Sequence, residues 1–348
     1  MTGRQIGSTE HARRGPAKVH WPETRGIRTL GISYGLGSNN GDLLYNPEFF
    51  EAGEIQSQLT NWCEIEHIPY SPDLDAYCHL LDDPDTPYDI TVGERELLVQ
   101  GDVSRLDREG RDRRWSLMGN TGLFFRYALA VQERHGIYSL HASAIYKPGE
   151  DELMVIVGKA GTGKTVYLLE ALVRGYQIFS TEMTYFRLVP DGVHFYRGAL
   201  MDNIRVGNFR YDFPAAAGLL GLELPKVEDP WEAKISVSMA RATTEQGELL
   251  NPKLSFIFPR IEAGHHRATV HDVAHSRTLV RLLFDSASEK IGSTVLLYEE
   301  LPVSGLDTPV LARARWEAIH QLVAAPHWEI KQARTILAGP ESCMEGID

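Results

Sequence analysis

The stretch "GKAGTGKT", residues 158–165, sets Gly158, Gly163, Lys164 and Thr165 at the spacing GxxxxGK[ST]. The chemistry this suits is the gripping of a phosphate chain. Glycines leave no Cβ between the backbone N–H groups and an anion, and the helix that follows points its positive end at the same spot. A lysine here reaches the β- and γ-phosphates, and the threonine hydroxyl can bind Mg2+. The expected ATP cradle is therefore Gly158, Lys159, Ala160, Gly161, Thr162, Gly163, Lys164, Thr165 and Val166, with Thr165 on the metal. Phosphoryl transfer also needs a carboxylate to hold the metal or to orient and deprotonate the acceptor. Two stretches offer one: "QIFSTE", ending at Glu182, and "TVLLYEE", ending at Glu299 and Glu300. Spacing permits both. The first suits a kinase, the second a P-loop ATPase that activates water.

Other residues carry weaker expectations. Arg260 closes "LSFIFPR", and its guanidinium fork matches the oxygens of a transferring phosphoryl group, although a surface ion pair suits it equally. Lys234 and Arg197 have similar standing. His271 and His275 are spaced i, i+4, which would put them on one helix face as a metal pair needs. No third ligand accompanies them, so ordinary helix-surface histidines are expected, with His265 and His266 in a turn. Cys63, Cys78 and Cys343 are an odd number without CxxC spacing and read as reduced and structural, Cys343 in a loose C-terminal tail.

The elements that must position these groups follow from apolar periodicity. "ELMVIV" is a strand into the loop, "TVYLLEALVRG" a helix closed by Gly175, "QIFS" a short strand, and "YFRLVPDGVHFYRG" a hairpin around Pro190, Asp191 and Gly192. "LSFIFPRI" reads as a buried strand, "HDVAHSRTLVRLLFD" and "TPVLARARWEAIHQLVAA" as amphipathic helices, and "HWEIKQA" as a last strand. Upstream, "RTLGISYGLGS" and "YDITVGERELLVQG" are expected strands and "RLDREGRDRRW" a charged turn. "NTGLFFRYALAVQERHG" is expected as a helix, with Asn120 or Thr121 as N-cap and Gly136 beyond its end. Strands alternating with helices around a phosphate loop predict an α/β sheet.

"LHASAIY", "LMVIVGKAGTGKT", "LLEALVRGYQIFSTE" and the closing "RWEAIHQLVAAPHWEI" together resemble the C-terminal domain of HPr serine kinase/phosphorylase and its kinase relatives, over about residues 137 to 333. The resemblance implies a phosphoenolpyruvate-carboxykinase-like α/β fold, here with a smaller mixed α/β N-terminal region. It implies an ATP- and Mg2+-dependent kinase that passes the γ-phosphate to a hydroxyl: a serine or threonine of a peptide or carrier protein, or a small metabolite alcohol. Carried over residue by residue, it places His141 against the γ-phosphate, Lys164 and Thr165 on phosphate and metal, and Glu182 in a metal or base role. The sequence departs where the family has paired acids, since Thr181 precedes Glu182. A threonine accepts no proton at neutral pH, so Glu182 or His141 is the base, or the step is altered and the chain is a nucleotide-sensing module. Relatives of this kind often assemble into oligomers, so a homo-oligomer is among the expectations.

The 348 residues suffice for two domains, and 43% hydrophobic against 24% charged residues is an ordinary globular balance. The expected division is a tail over 1–25, an N-terminal region over 26–136 for substrate docking, the loop-bearing domain over 137–335, and a tail over 336–348. No run approaches the roughly 18 apolar residues of a membrane span, and the N-terminus lacks the apolar core of a secretory signal, so a cytoplasmic protein is expected. Of the net charge of -12, the segment Thr29–Glu94 holds thirteen acids and no Lys or Arg. Such a face repels nucleic acid and reads as a solvated acidic surface or a dock for a basic partner.

Overall fold

The computed structural model describes residues 21–44, 62–109, 117–298, 300–324, 327–345 and 347. It is a mixed α/β structure built on two large mixed sheets and two small ones. The first sheet holds β1 (Glu23–Thr29), β2 (Ile32–Ser38), β3 (Glu66–Ile68), β4 (Ala76–Asp82), β5 (Asp89–Val92) and β6 (Glu96–Gly101), in the order β3-β1-β2-β4-β6-β5. "RTLGISYGLGS" is thus not one strand but parts of two. Leu30 and Gly31, with φ of 51° and 76°, form the tight turn whose twist matches a hairpin. A four-residue helix α1 (Gly41–Leu44) follows β2. The expected tail over 1–25 overlaps β1; residues 1–20 lie outside the described residues.

The first part of the expected charged turn over 105–115 belongs to a helix, α2 (Val103–Glu109), and its remainder lies outside the described residues. Helix α3 (Leu123–Arg134) buries Leu123 through Glu133 on more than one side, among first-sheet residues and against the strand and helices that follow it, so its apolar stripe is wider than the sequence pattern implied. Its N-cap is Gly122, not Asn120 or Thr121, and Gly136 takes φ of +75° just past its end. Part of the acidic segment is structural. Asp75 accepts from Ser33, and Asp82 from Asn40 and Ser104; burial would raise both carboxyls, but these hydrogen bonds outweigh it and lower them.

The second sheet begins one residue after Gly136 with β7 (Ile137–Lys147) and β8 (Glu152–Val157). Helix α4 (Lys164–Val173) leads to β9 (Gln177–Ser180), then the hairpin β10 (Met183–Val189) and β11 (Gly192–Tyr196), closed by Pro190 and Asp191. β12 (Met201–Arg205) and β13 (Lys234–Ser238) form a separate pair, with α5 (Pro214–Leu220) between them. β14 (Glu248–Leu250), β15 (Lys253–Ile261), β16 (Thr269–Asp272), α6 (Ser276–Gly292), β17 (Val295–Leu297), β18 (Leu301–Val303), α7 (Pro309–Ala324) and β19 (Ile330–Ala338) complete the chain. The sheet order is β14-β11-β10-β7-β8-β15-β19-β16, with β9 also on β7. Its centre, β8-β15-β19, is parallel, and β8 and the first part of β15 are buried, as the continuous apolar runs of "LMVIV" and "LSFIF" require.

Two expectations about the ends of this region are corrected. The described residues of 336–348 are not a loose tail: β19 runs to Ala338, and Cys343, Met344 and Ile347 are buried in the core against α4. The boundary at 136 falls between α3 and β7, but the first core also takes Ile291, Val295, Leu297, Tyr298, Val303, Leu306 and Leu311 from the far end of the chain. Cys63, Cys78 and Cys343 are free and buried, and burial pushes each thiol up. Among the described residues no helix is long and apolar enough to cross a membrane.

Candidate functional site

Strand β8 delivers the glycine-rich loop. All its residues are buried, and β7 and β15 flank it, so the chain leaves the sheet at Val157 in a fixed direction. Gly161 and Gly163 take φ of 84° and 107°, a region that glycine enters without steric cost. A Cβ on Gly163 would collide with the Ile261 side chain. The loop is tied from the neighbouring strand as well, because the Ile261 N–H donates to Thr162 O at 3.0 Å. Helix α4 starts at Lys164 with no side chain capping it; Val166 and Tyr167 donate their N–H to Gly163 O, and the N–H groups of Lys164 and Thr165 are left to meet an anion.

Lys164 is buried and folded back on the loop. Its Nζ donates to Gly158 O at 2.9 Å and lies 3.3 Å from His141 Nε2 and 3.4 Å from Glu182 Oε2. In the β7–β10 ladder His141 pairs with Met183, so register alone puts the histidine beside Glu182. His141 Nε2 stands 3.0 Å from Glu182 Oε2. Three residues expected to act together are therefore together. Burial would raise the Glu182 carboxyl, but the His141 hydrogen bond and the charges of Lys164, His141 and Lys290 outweigh it and hold the acid at about 2.

Three groups that the sequence reading did not single out complete the cluster. Asp202, on β12 and 4% exposed, accepts from Thr165 Oγ1 at 3.0 Å. Burial, and then the charge of Glu182, push its carboxyl up to about 7 against the Thr165 hydrogen bond. Glu289, on α6, brings Oε2 within 3.0 Å of His141 Nδ1, at ion-pair distance but off the line of a ring hydrogen bond. Burial would raise its carboxyl, and His141, Lys290 and Lys159 lower it. Lys290 beside it is lowered by burial, which Glu182 and Glu289 only partly offset. Asp202 lies on β12, "MDNIR", on the buried side with Ile204, and the polar Asn203 and Arg205 around it leave no local signal for a site. Glu289 and Lys290 had none, because "SEKIG" reads as a solvated helix face.

The threonine at 181 has a structural task. It is buried, and its hydroxyl lies 2.9 Å from Ala199 O and 2.6 Å from Met201 O. Both neighbours are acceptors, so a donor fits this position and an ionised carboxylate does not. The second carboxylate of the site comes instead from Asp202.

Other expected residues stand apart. Arg260 is 77% exposed and paired with Glu262 at 2.5 Å. Lys234 is exposed on β13. Arg197 binds Thr244 O at 3.1 Å. His271 and His275 share no helix face: the first is on β16 and the second is the N-cap of α6, because β16 pairs with the edge of β19. His265 and His266 face Glu262 and Glu341 at 3.3 Å and 2.7 Å. Glu300 follows β17, which pairs with β18 outside the large sheet, and faces Arg105 at 3.7 Å; Glu299 lies outside the described residues. No carboxylate from "TVLLYEE" is thus seen at the loop. Among the described residues no cluster of three or more His, Cys, Asp or Glu forms a metal cage by itself.

The assembled groups can receive an anion at the loop and set carboxylates across from it. No family model matches this chain, and no curated protein matches it.

Proposed function

We propose that the chain is an ATP-dependent kinase that transfers the γ-phosphate to a hydroxyl, on a P-loop domain of the HPr-kinase type. The observation that carries this reading is the convergence of Lys164, His141 and Glu182, with Asp202 on Thr165, at the carboxyl ends of parallel strands β8 and β15. That edge is where open α/β sheets bind ligands.

Mg2+ takes few protein ligands and keeps water and phosphate oxygens for the rest. The Thr165 hydroxyl and the Asp202 carboxylate are such a pair, and a buried acid held near 7 is one that a cation would relieve. When bound, the ion would neutralise charge on the β- and γ-phosphates. The chain's own residues do the rest. Lys164, once drawn from Gly158 O, gives its charge to the terminal phosphate. That movement removes one of the cations holding Glu182 down, so its carboxylate becomes a better proton acceptor as nucleotide enters. His141, between Glu182 and Glu289, orients the Glu182 carboxylate. The acceptor oxygen forms a bond to γ-phosphorus, the bridging P–O bond breaks, ADP leaves, and the hydroxyl proton passes to Glu182.

The test offers γ-labelled Mg·ATP to serine- and threonine-containing peptides and to small alcohols. An ester-linked label is expected, and Glu182→Gln should lower transfer by about 100-fold or more, with nucleotide affinity nearly unchanged. Tight Mg·ATP binding without label on any acceptor would favour a nucleotide sensor. Phosphate release that survives Glu182→Gln would favour an ATPase.

A further inference from the structure

A cavity of about 1060 Å3 lies where the two large sheets meet. One wall is the β1–β2 turn, Arg28–Gly31, with Trp62–Glu66 beside it. The other is Arg187, Tyr196 and the strap Arg197–Met201 that joins β11 to β12. Its size suits a small molecule or one end of a larger ligand.

The charged groups are sorted by depth. The lining acids Glu64, Glu66 and Glu248 have side chains 90%, 60% and 62% exposed, so they form a rim. Arg197 is 26% exposed, holds Thr244 O at 3.1 Å and reaches Glu64 at 4.0 Å, the limit of an ion pair. Arg187 donates through Nη2 to His135 O at 3.2 Å, and its Nε is buried without an acceptor among the described residues. Arg197 thus stands further in than any lining carboxylate, and Arg187 adds a buried Nε with donor capacity to spare. Planar forks of this kind suit a carboxylate or a phosphate.

The strap is also a wall of the site described above. Thr181 donates its N–H to Ala199 O at 2.9 Å and sets its hydroxyl against Ala199 O and Met201 O. A Cβ on Gly198 would collide with Met183 O and crowd Ser180, so the strap lies flat on the turn that carries Thr181 and Glu182. Met201 is followed at once by Asp202. What fills the cavity presses on a segment that touches Thr181, the neighbour of Glu182, on one side and leads into the Thr165 partner on the other.

We propose that this cavity binds the anionic part, a carboxylate or a phosphate, of the hydroxyl acceptor, with Arg187 and Arg197 as the receiving groups. The proposal rests on the kinase reading. Binding energy gained here, away from the reacting atoms, would be used to position the hydroxyl.

The experiment is calorimetric titration of the full chain, saturated with Mg2+ and a non-hydrolysable ATP analogue so that the loop is filled, using succinate and inorganic phosphate as probes. At least one probe should bind, and comparison of the two separates carboxylate from phosphate recognition. Arg187→Gln and Arg197→Gln should each weaken that binding about tenfold or more, as loss of a charge-assisted hydrogen bond does, while analogue affinity stays unchanged and certifies the fold. If Arg187→Gln does not fold, Arg197→Gln decides. Binding of neither probe, or binding indifferent to Arg197, overturns the proposal. Failure of the analogue to bind sinks the kinase reading instead; succinate titration of the nucleotide-free chain then still reads the cavity.

Discussion

Asp202 is the residue whose charge is hardest to hold. Its carboxyl sits at about 7 against an ordinary 3.8, so between those values the folded chain keeps a proton that the unfolded chain has released. Stability therefore falls as pH rises through this window, and the penalty is complete above pH 7. Asp202→Asn removes the titration. Without nucleotide, the variant should be more stable than the parent at pH 8 by about 1–3 kcal/mol, and the gap should close near pH 4. Denaturant melts at several pH values measure this; a constant gap would contradict it. Glu289 invites a different measurement. It meets His141 Nδ1 while Glu182 meets Nε2, with Lys164, Lys159 and Lys290 as the surrounding cations. Glu289→Gln should reduce kcat about tenfold and displace the pH–rate profile, leaving KM for ATP unchanged. An unmoved profile would remove Glu289 from the proton pathway.

At the scale of elements, strand β8, its loop and α4 were legible because each requirement is local. An apolar run makes the buried strand, glycines make the left-handed turns, and Gly175 closes the helix with φ of 78°. Gly163→Ala tests that logic: with φ of 107° and Ile261 against it, the substitution should destabilise the chain by more than about 1 kcal/mol and weaken nucleotide binding. Normal stability and affinity would show that the loop adapts. The meeting of His141 with Glu182 was legible only through resemblance, since it depends on the register of β7 against β10, 41 residues apart. Asp202 and Glu289 depend on the placement of β12 and α6 by distant partners, which no local period encodes. The same limit explains His271 and His275. Their spacing fits a helix, but the open edge of β19 draws the first into a strand.

At the scale of the whole molecule, the parts are joined by charge as well as by apolar contact. Arg315 of α7 is fully buried and binds Glu133 of α3 at 2.7 and 2.9 Å, and Asp307 through two contacts of 2.9 Å. Arg126 of α3 reaches Lys290 O and Ser293 at the end of α6 that bears Glu289. Arg315→Met would strand two carboxylates facing each other and should cost about 3–5 kcal/mol, read as a lowered melting temperature. Replacing Glu133 and Asp307 by apolar residues as well should recover much of it, whereas no loss from Arg315→Met would mean the network is unimportant. The course of the backbone adds one more consequence. The polypeptide leaves its first core after α3, builds the large sheet, and returns with Ile291–Leu311 to finish what it began. Shortening it from either end therefore does not yield a smaller working unit: a fragment begun at 137 would carry those returning side chains with nothing to cover them, and one stopped at 136 would lack the pieces that close its interior.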